Sequence, residues 1–342
     1  MLNGMTSHPP TPLRSPELTV VIPVLNEERN LGPLENRLVP MLDGLGVTWN
    51  VLFVDDGSTD ETLAGLKQIH QREPRITAVS LSRNFGKEVA IAAGLRHATG
   101  RAVIIMDADL QHPPEMLGAF VRLWREGYQV VYGQRRSRQT DSFLHRTFAK
   151  VFYRLFNALV QTDIPEGAGD FRLLDRAAVD AMNQLSEVSR FNKGLYSWIG
   201  FKAIGVPYDV AERMHGTSKW SFRKLTRFAL DGLTSFSTLP LRVWSLVGLA
   251  ISLAAFATAV YFIGQTLLFG VDVKGFPTLI VSVMFFSGVQ LITLGVIGEY
   301  LGRVYEEVKG RPLFIVGDRV GLDAEAPGAA PRPAQPDAGT IH

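Results

Sequence analysis

Two long stretches without a single charge constrain this chain more than any other feature. None occurs from Val243 to Val271, and none from Gly275 to Gly298. Each stretch exceeds the roughly 20 residues that carry a helix across a ~30 Å hydrocarbon layer. A long helix of a soluble protein normally keeps a polar stripe, and neither stretch has one. The connection, Val271-Asp272-Val273-Lys274, is very short, so residues 243–298 are expected to form an antiparallel transmembrane hairpin. Arg223, Lys224, Arg227 and Arg242 precede it, Arg303, Lys309 and Arg311 follow it, and the connection carries one Lys. The positive-inside rule then puts both termini and everything before the hairpin on the cytoplasmic side.

The flanks fit the same picture. Residues 220–242 hold a basic amphipathic helix: Phe222, Leu225, Ala229, Leu233 and Phe236 recur on one face, with Arg223, Lys224, Arg227 and Asp231 elsewhere. Such a helix beside a span is expected to lie at the membrane surface, with packing on the soluble domain as the alternative. Phe148, Phe152, Leu155 and Leu159 form a second stripe that fits either a core or a membrane face. Residues 299–320 read as a cytoplasmic segment. The leads 1–16 and 321–342 are rich in Pro, Ala, Ser and Asp and are expected to be disordered. Gly288, Gly295 and Ser287 on the second span would allow close helix packing and leave a homo-oligomer possible.

Residues 17–219 read as an α/β domain. Leu18 to Pro23, Trp49 to Asp56 and Ile76 to Leu81 have the composition of buried strands, as does the run Ala102 to Met106. Helical stretches alternate with them at Asn26 to Leu42, Ser58 to His70 and Lys87 to Ala98. Asn26 and Ser58 stand at cap positions. This rhythm predicts a mostly parallel sheet with helices on both faces. The first strand lacks a G-x-G-x-x-G sequel, which argues against a dinucleotide cofactor. Thirty-five basic and 33 acidic residues leave a net charge of +2, which gives no electrostatic case for a nucleic-acid partner. With no cysteine there is no disulfide framework and no thiolate metal site.

Acids gather where the strands end. Asp107-Ala108-Asp109 closes the fourth strand, and Pro113-Pro114 then opens a helix. Asp55 and Asp56 close the second strand. Ligands of open α/β sheets bind beyond these carboxyl ends. Two carboxylates one residue apart can hold a hard divalent cation against a diphosphate. The other pair could bind a base or ribose, although Asp55-Asp56-Gly57-Ser58 also makes a good turn. Arg135, Arg136 and Arg138 form a cationic cluster suited to bidentate phosphate contacts. Arg213, Ser218 and Lys219 lie just before the amphipathic helix. Asp170 follows the flexible-looking Gly167-Ala168-Gly169, where it could cap a helix, pair with Arg172 or orient a reacting group.

In this order the motifs resemble glycosyltransferases of family 2 with the GT-A (Rossmann-like) fold. The carriers are Val21-Ile22-Pro23-Val24-Leu25-Asn26-Glu27-Glu28, Val54-Asp55-Asp56-Gly57-Ser58-Thr59-Asp60, Leu81-Ser82-Arg83-Asn84-Phe85-Gly86-Lys87-Glu88 and Asp107-Ala108-Asp109-Leu110-Gln111-His112-Pro113-Pro114-Glu115. Gly133 to Arg138, Gly167 to Arg172, Gly216 to Trp220 and Arg311 to Val316 extend the resemblance to the polyprenyl-phosphate branch, over about Leu18 to Val316. That branch includes dolichol-phosphate mannose synthases and bactoprenol-phosphate glucosyltransferases.

The resemblance implies an inverting transfer from a nucleotide-sugar, with UDP-glucose the first expectation, to undecaprenyl phosphate at the cytoplasmic face of a bacterial inner membrane. It implies a Mg²⁺ or Mn²⁺ ion on Asp107 and Asp109, joined by Gln111. Pro23, Leu25, Glu27, Asp55, Asp56, Lys87 and Asp107 would hold the donor. Arg135, Arg136, Arg138, Arg213, Ser218 and Lys219 would hold the acceptor phosphate. Asp109, Asp170, Arg135 and Arg138 would carry the chemistry. One rival is a processive polysaccharide synthase, but the chain lacks Gln-x-x-Arg-Trp and has few spans. Another is a non-catalytic lipid-carrier translocator or scaffold, against which the complete acid set argues.

Overall fold

The computed structural model describes residues 16–135, 165, 167–188, 190–209 and 275–322, with scattered helical positions between 248 and 268. The expected amphipathic helix at 220–242, the stripe from Phe148 to Leu159, and Arg136, Arg138, Arg213, Ser218 and Lys219 lie outside the described residues.

Among the described residues, eight strands form one sheet. They are β1 (Leu18–Val24), β2 (Trp49–Asp55), β3 (Ile76–Leu81), β4 (Ala102–Ile105), β5 (Val130–Arg135), β6 (Ala168–Asp175), β7 (Ala203–Tyr208) and β8 (Val316–Val320). Their order is β7-β5-β6-β4-β1-β2-β3-β8. The centre, β4-β1-β2-β3, is parallel, as the alternating rhythm predicts, and β5 pairs parallel with β7. The sheet is nonetheless mixed, because β6 runs antiparallel between β4 and β5, and β8 runs antiparallel on β3. Four α-helices intervene in the first half: α1 (Glu28–Asp43), α2 (Thr62–Arg72), α3 (Lys87–His97) and α4 (Leu117–Arg125). Then come α5 (Arg176–Gln184), α6 (Asn192–Trp198) and the long α7 (Phe276–Val308).

The central strands are mostly apolar because both faces are covered. On one face Leu34, Leu38 and Leu42 of α1, Leu66 of α2 and Phe120 of α4 pack on Val20, Ile22, Phe53 and Ile104. On the other, Ile91 and Leu95 of α3, Val179 and Met182 of α5 and Leu195 of α6 pack on Val21, Leu52, Val54 and Ile105. Alternate residues of one strand thus serve two cores.

Two helix starts differ from the sequence reading. Neither Asn26 nor Ser58 caps a helix. Asn26 has φ +56° and its Oδ1 accepts from the backbone N–H of Thr59 at 2.8 Å, while the Asn26 N–H donates to Ser58 Oγ at 2.9 Å. The caps yield to a cross-link between the loops after β1 and β2. Helix α2 begins at Thr62, whose N–H and Oγ1 both donate to Asp60 Oδ1. Residues 168–170, expected in a flexible loop, belong to β6. By contrast, the turn after β4 is as expected: Pro114 opens a 3-10 turn that leads into α4.

Helix α7 contains 33 residues, about 50 Å at 1.5 Å per residue. Leu279, Leu291 and Leu294 are all more than half exposed along it. The helix is long and apolar enough to cross a membrane by length and composition, with its charges gathered at the end from Glu299 on. It includes the candidate span Phe285–Val308. The first of the two expected spans falls mostly outside the described residues. After α7 the chain returns to the sheet, where Val316–Val320 becomes the strand beside β3. The Ser82 N–H donates to the Ile315 carbonyl at 2.9 Å.

Candidate active site

Register aligns the strand ends. Val24 pairs with Asp55, and Asp55 with Ser80, so the loops that follow rise from one edge. The two acidic pairs then diverge in use. Asp55 is buried, its Oδ2 accepting from Ser80 Oγ at 2.7 Å and its Oδ1 from the Ser58 N–H at 3.0 Å. Asp56 is also buried. Its two oxygens accept the backbone N–H groups of Phe85, at 2.7 Å, and Gly86, at 2.9 Å. Burial pushes the Asp56 carboxyl up, against those two hydrogen bonds. This pair therefore knits the loop after β2 to the loop after β3. Gly57, at φ +71°, seals the join: a Cβ there would lie 2.5 Å from the Arg83 carbonyl carbon.

Asp107 and Asp109 are only partly buried. Leu110 between Asp109 and Gln111 has φ +57°, uncommon for a branched side chain, and its buried side chain pins the turn to the core. The Gln111 N–H donates to Asp109 Oδ1 at 3.1 Å. The Asp107 N–H donates to Nδ1 of His112 at 3.0 Å, so Nδ1 carries no proton. Burial lowers the His112 pKa, in agreement with a neutral ring. That ring stacks on Phe171 of β6 at 4.6 Å between centroids. The turn is thereby fixed to two strands.

Lys87, the first residue of α3, closes the constellation. Its Nζ lies 2.7 Å from Asp107 Oδ1 and 3.2 Å from Asp170 Oδ2. Its stem is partly exposed, but the ammonium sits among carboxylates. Burial works against that charge, yet Asp107 and Asp170 outweigh it and hold the Lys87 pKa above its ordinary value. Asp170 is itself held low: burial opposes its ionisation, and Lys87, Lys193 and Arg172 overcome it. The alternatives of a helix cap and an Arg172 ion pair give way to this Lys87 pair. Arg172 instead stacks over Tyr196 at 3.6 Å and donates to the Gly169 carbonyl.

Other expected residues take identifiable places. Glu27 lies within the field of the acidic turn. Burial raises its pKa, the hydrogen bond from Asn30 lowers it, and Asp109 and Asp107 add to the rise. Leu25 is exposed at 38%, Pro23 is near the end of β1, and Arg135 ends β5 with its N–H on the Gly167 carbonyl. Sequence reasoning gave no role to Ser80, Glu88, His112, Phe171 or Tyr196. Ser80 was findable, because pairing β2 with β3 sets it opposite Asp55. His112 lies inside the Asp107 motif. Tyr196 is 24 positions from Arg172, with no local signal.

Among the described residues no three His, Asp or Glu side chains converge as a self-sufficient metal cage. Asp107 and Asp109 offer hard oxygen donors on a rigid turn. The acidic surroundings that raise Glu27 favour an added cation. Two carboxylates plus ligand phosphates are the usual Mg²⁺-type arrangement, and the residues fit it.

Fold and acidic turn describe an α/β protein with an acidic site at the carboxyl edge of a mixed, Rossmann-like sheet. Residues 19–182 match the family described as Glycosyl transferase family 2. A Synechocystis protein, uncharacterized glycosyltransferase sll0501, is 50% identical over 90% of this chain and 96% of its own length. The putative glycosyltransferase CsbB of Bacillus subtilis is 42% identical over 87% and 91%. The SfII prophage-derived bactoprenol glucosyl transferase of Shigella flexneri is 41% identical over 88% and 97%. The chain belongs to glycosyl transferase family 2.

Proposed function

We propose that this glycosyltransferase moves glucose from UDP-glucose to undecaprenyl phosphate at the cytoplasmic face of a bacterial membrane, with inversion. The observation that carries the site chemistry is the Asp107–Asp109 turn facing Lys87 and Asp170 across one sheet edge. The bactoprenol glucosyl transferase named above supports the acceptor and the sugar. The exposed apolar helix α7 supports the membrane setting, and a two-span hairpin remains the reading of residues 243–298.

A divalent cation held by Asp107 and Asp109, with Gln111 beside them, would offset charge on the departing diphosphate. Lys87 adds a fixed positive charge at the same place. The loops braced by Asp55 and Asp56 form the wall for the nucleoside, near Pro23, Leu25 and Glu27. A phosphate monoester is largely dianionic at neutral pH, so it needs placement more than deprotonation. Arg135 stands at the edge for that task, and Arg136, Arg138, Arg213, Ser218 and Lys219 supply further cations and donors by sequence. Asp170, held ionised beside Lys87, orients that lysine and a sugar hydroxyl.

The test is a panel of radiolabelled nucleotide-sugars offered with undecaprenyl phosphate and Mg²⁺ or Mn²⁺. Transfer of glucose to lipid is expected, and Asp107→Asn or Asp109→Asn should reduce it by about a hundredfold or more while the fold persists. Variants that transfer at the wild-type rate would refute the assignment.

A further inference from the structure

Lys87 stands between two residues that are braced from elsewhere in the chain. On one side the Gly86 N–H donates to Asp56 Oδ2 at 2.9 Å. On the other, Asn192 holds Glu88 twice. Its Nδ2 donates to the Glu88 carbonyl at 3.1 Å, and its backbone N–H donates to Glu88 Oε2 at 2.9 Å. The residue before α3 is Gly86, at φ +100°, which has no side chain to cap the helix. A helix start without its own cap depends on neighbours to hold its first turn. The first turn of α3 is therefore located from outside, by Asp56 and by Asn192.

Asn192 is itself fixed. It opens α6, it is 1% exposed, and its Oδ1 accepts from Arg190 Nε at 3.4 Å. The terminal nitrogens of Arg190 donate to the carbonyls of Leu185 and Met182, at 3.0 and 3.2 Å, where α5 ends. Helix α5 packs in turn on α3, with Val179 and Met182 in one core with Ile91 and Leu95. Burying an amide is favourable only when its groups are bonded, and here both ends are. The consequence falls on Lys87, whose Nζ reaches Asp107 at 2.7 Å and Asp170 at 3.2 Å. A lysine stem is flexible, so its ammonium is only as well placed as the turn that carries it. We propose that Asn192 is a positioning residue: by holding Glu88 it keeps the Lys87 ammonium between Asp107 and Asp170, where the donor's diphosphate arrives. The inference rests on the nucleotide-sugar reading and adds to it a residue that acts through its neighbours.

The experiment compares the full-length chain in detergent micelles as wild type, Asn192→Ala, Asn192→Leu and Asn183→Ala. Leucine keeps the branched shape without the amide, so it carries the comparison if the cavity left by alanine unfolds the chain. Asn183 Nδ2 donates to the Leu95 carbonyl at 3.2 Å, so Asn183→Ala removes a like bond from the far end of the same helix. Competitive acetylation, read by peptide mass spectrometry with Lys67 as internal reference, reports how tightly the Lys87 ammonium is paired. Lys87 labelling should rise about three- to tenfold in both Asn192 variants and stay as in wild type in Asn183→Ala. The KM for UDP-glucose should rise by a similar factor, while that for undecaprenyl phosphate holds. Wild-type labelling of Lys87 in the Asn192 variants would overturn the proposal. An equal rise in Asn183→Ala would overturn it as well, because it would mean a general loosening of α3. Raised labelling with an unchanged donor KM would sever the brace from the donor and also overturn it. Labelling needs no transfer, so a wild type that moves no glucose sinks the proposed function while the labelling still decides the brace.

Discussion

Glu88→Gln should make the protein more stable, and increasingly so as pH rises. The Glu88 carboxyl is pushed up to about 7 by burial first and by the Asp170 charge second, against a hydrogen bond from the Asn192 N–H at 2.9 Å. Below pH 4.5 the group is protonated in both the folded and the unfolded chain, and it contributes no pH dependence. Between 4.5 and about 7 the unfolded chain releases the proton while the folded chain keeps it, so stability falls as pH rises. The interval multiplied by about 1.36 kcal/mol per pH unit gives about 3 kcal/mol, fully lost above pH 7. Glutamine can still accept from Asn192 and carries no such penalty. For a catalytic unit of this size, about 3 kcal/mol corresponds to roughly 6–12 °C in melting temperature. Scanning fluorimetry of wild type and variant at pH 4.5, 6 and 8 reads the effect directly. Near-equal melting at pH 4.5 and a gap that widens to pH 8 are expected. A gap that is constant or shrinks would refute the placement of Glu88 against Asp170.

Two further variants test the joined loops. Asp56→Ala leaves the Phe85 and Gly86 N–H groups without their acceptor and should cost about 2–4 kcal/mol, read by thermal unfolding, with weaker UDP binding. A loss below about 1 kcal/mol would mean that the loop after β3 is held by something else. Gly57→Ala should destabilise more than Gly46→Ala. Both sites have positive φ, but only at Gly57 would the new Cβ meet backbone, so parallel melting curves isolate the contact. Equal shifts would show that strain alone matters.

The parallel centre was legible because its strands are apolar runs punctuated by turn residues. The Asp107 turn was legible because acids follow one such run directly. What escaped depends on side-chain partners far away in the chain. Asn26 and Ser58 have cap-like neighbours, but each finds a better partner in the other loop, roughly thirty positions off. Asp170 follows two glycines that read as loop, yet Gly169 and Asp170 themselves belong to β6. Asp55 and Asp56 look like ligand groups, and their oxygens turn out to be engaged by Ser80, Ser58, Phe85 and Gly86. Residues 311–320 carry no strong alternation, and only the open edge of β3 makes five of them a strand.

That last strand sets an order of manufacture. Strand β3 leaves the ribosome early, but its outer partner follows about 230 residues later, at least ten seconds at 5–20 residues per second. Until then the outer edge of β3 has bare backbone groups, which invite mispairing with another nascent chain. Helix α7 must leave the ribosome before β8 can arrive. A chain truncated before α7 would also lack β8 and would keep β3 as an unfinished edge.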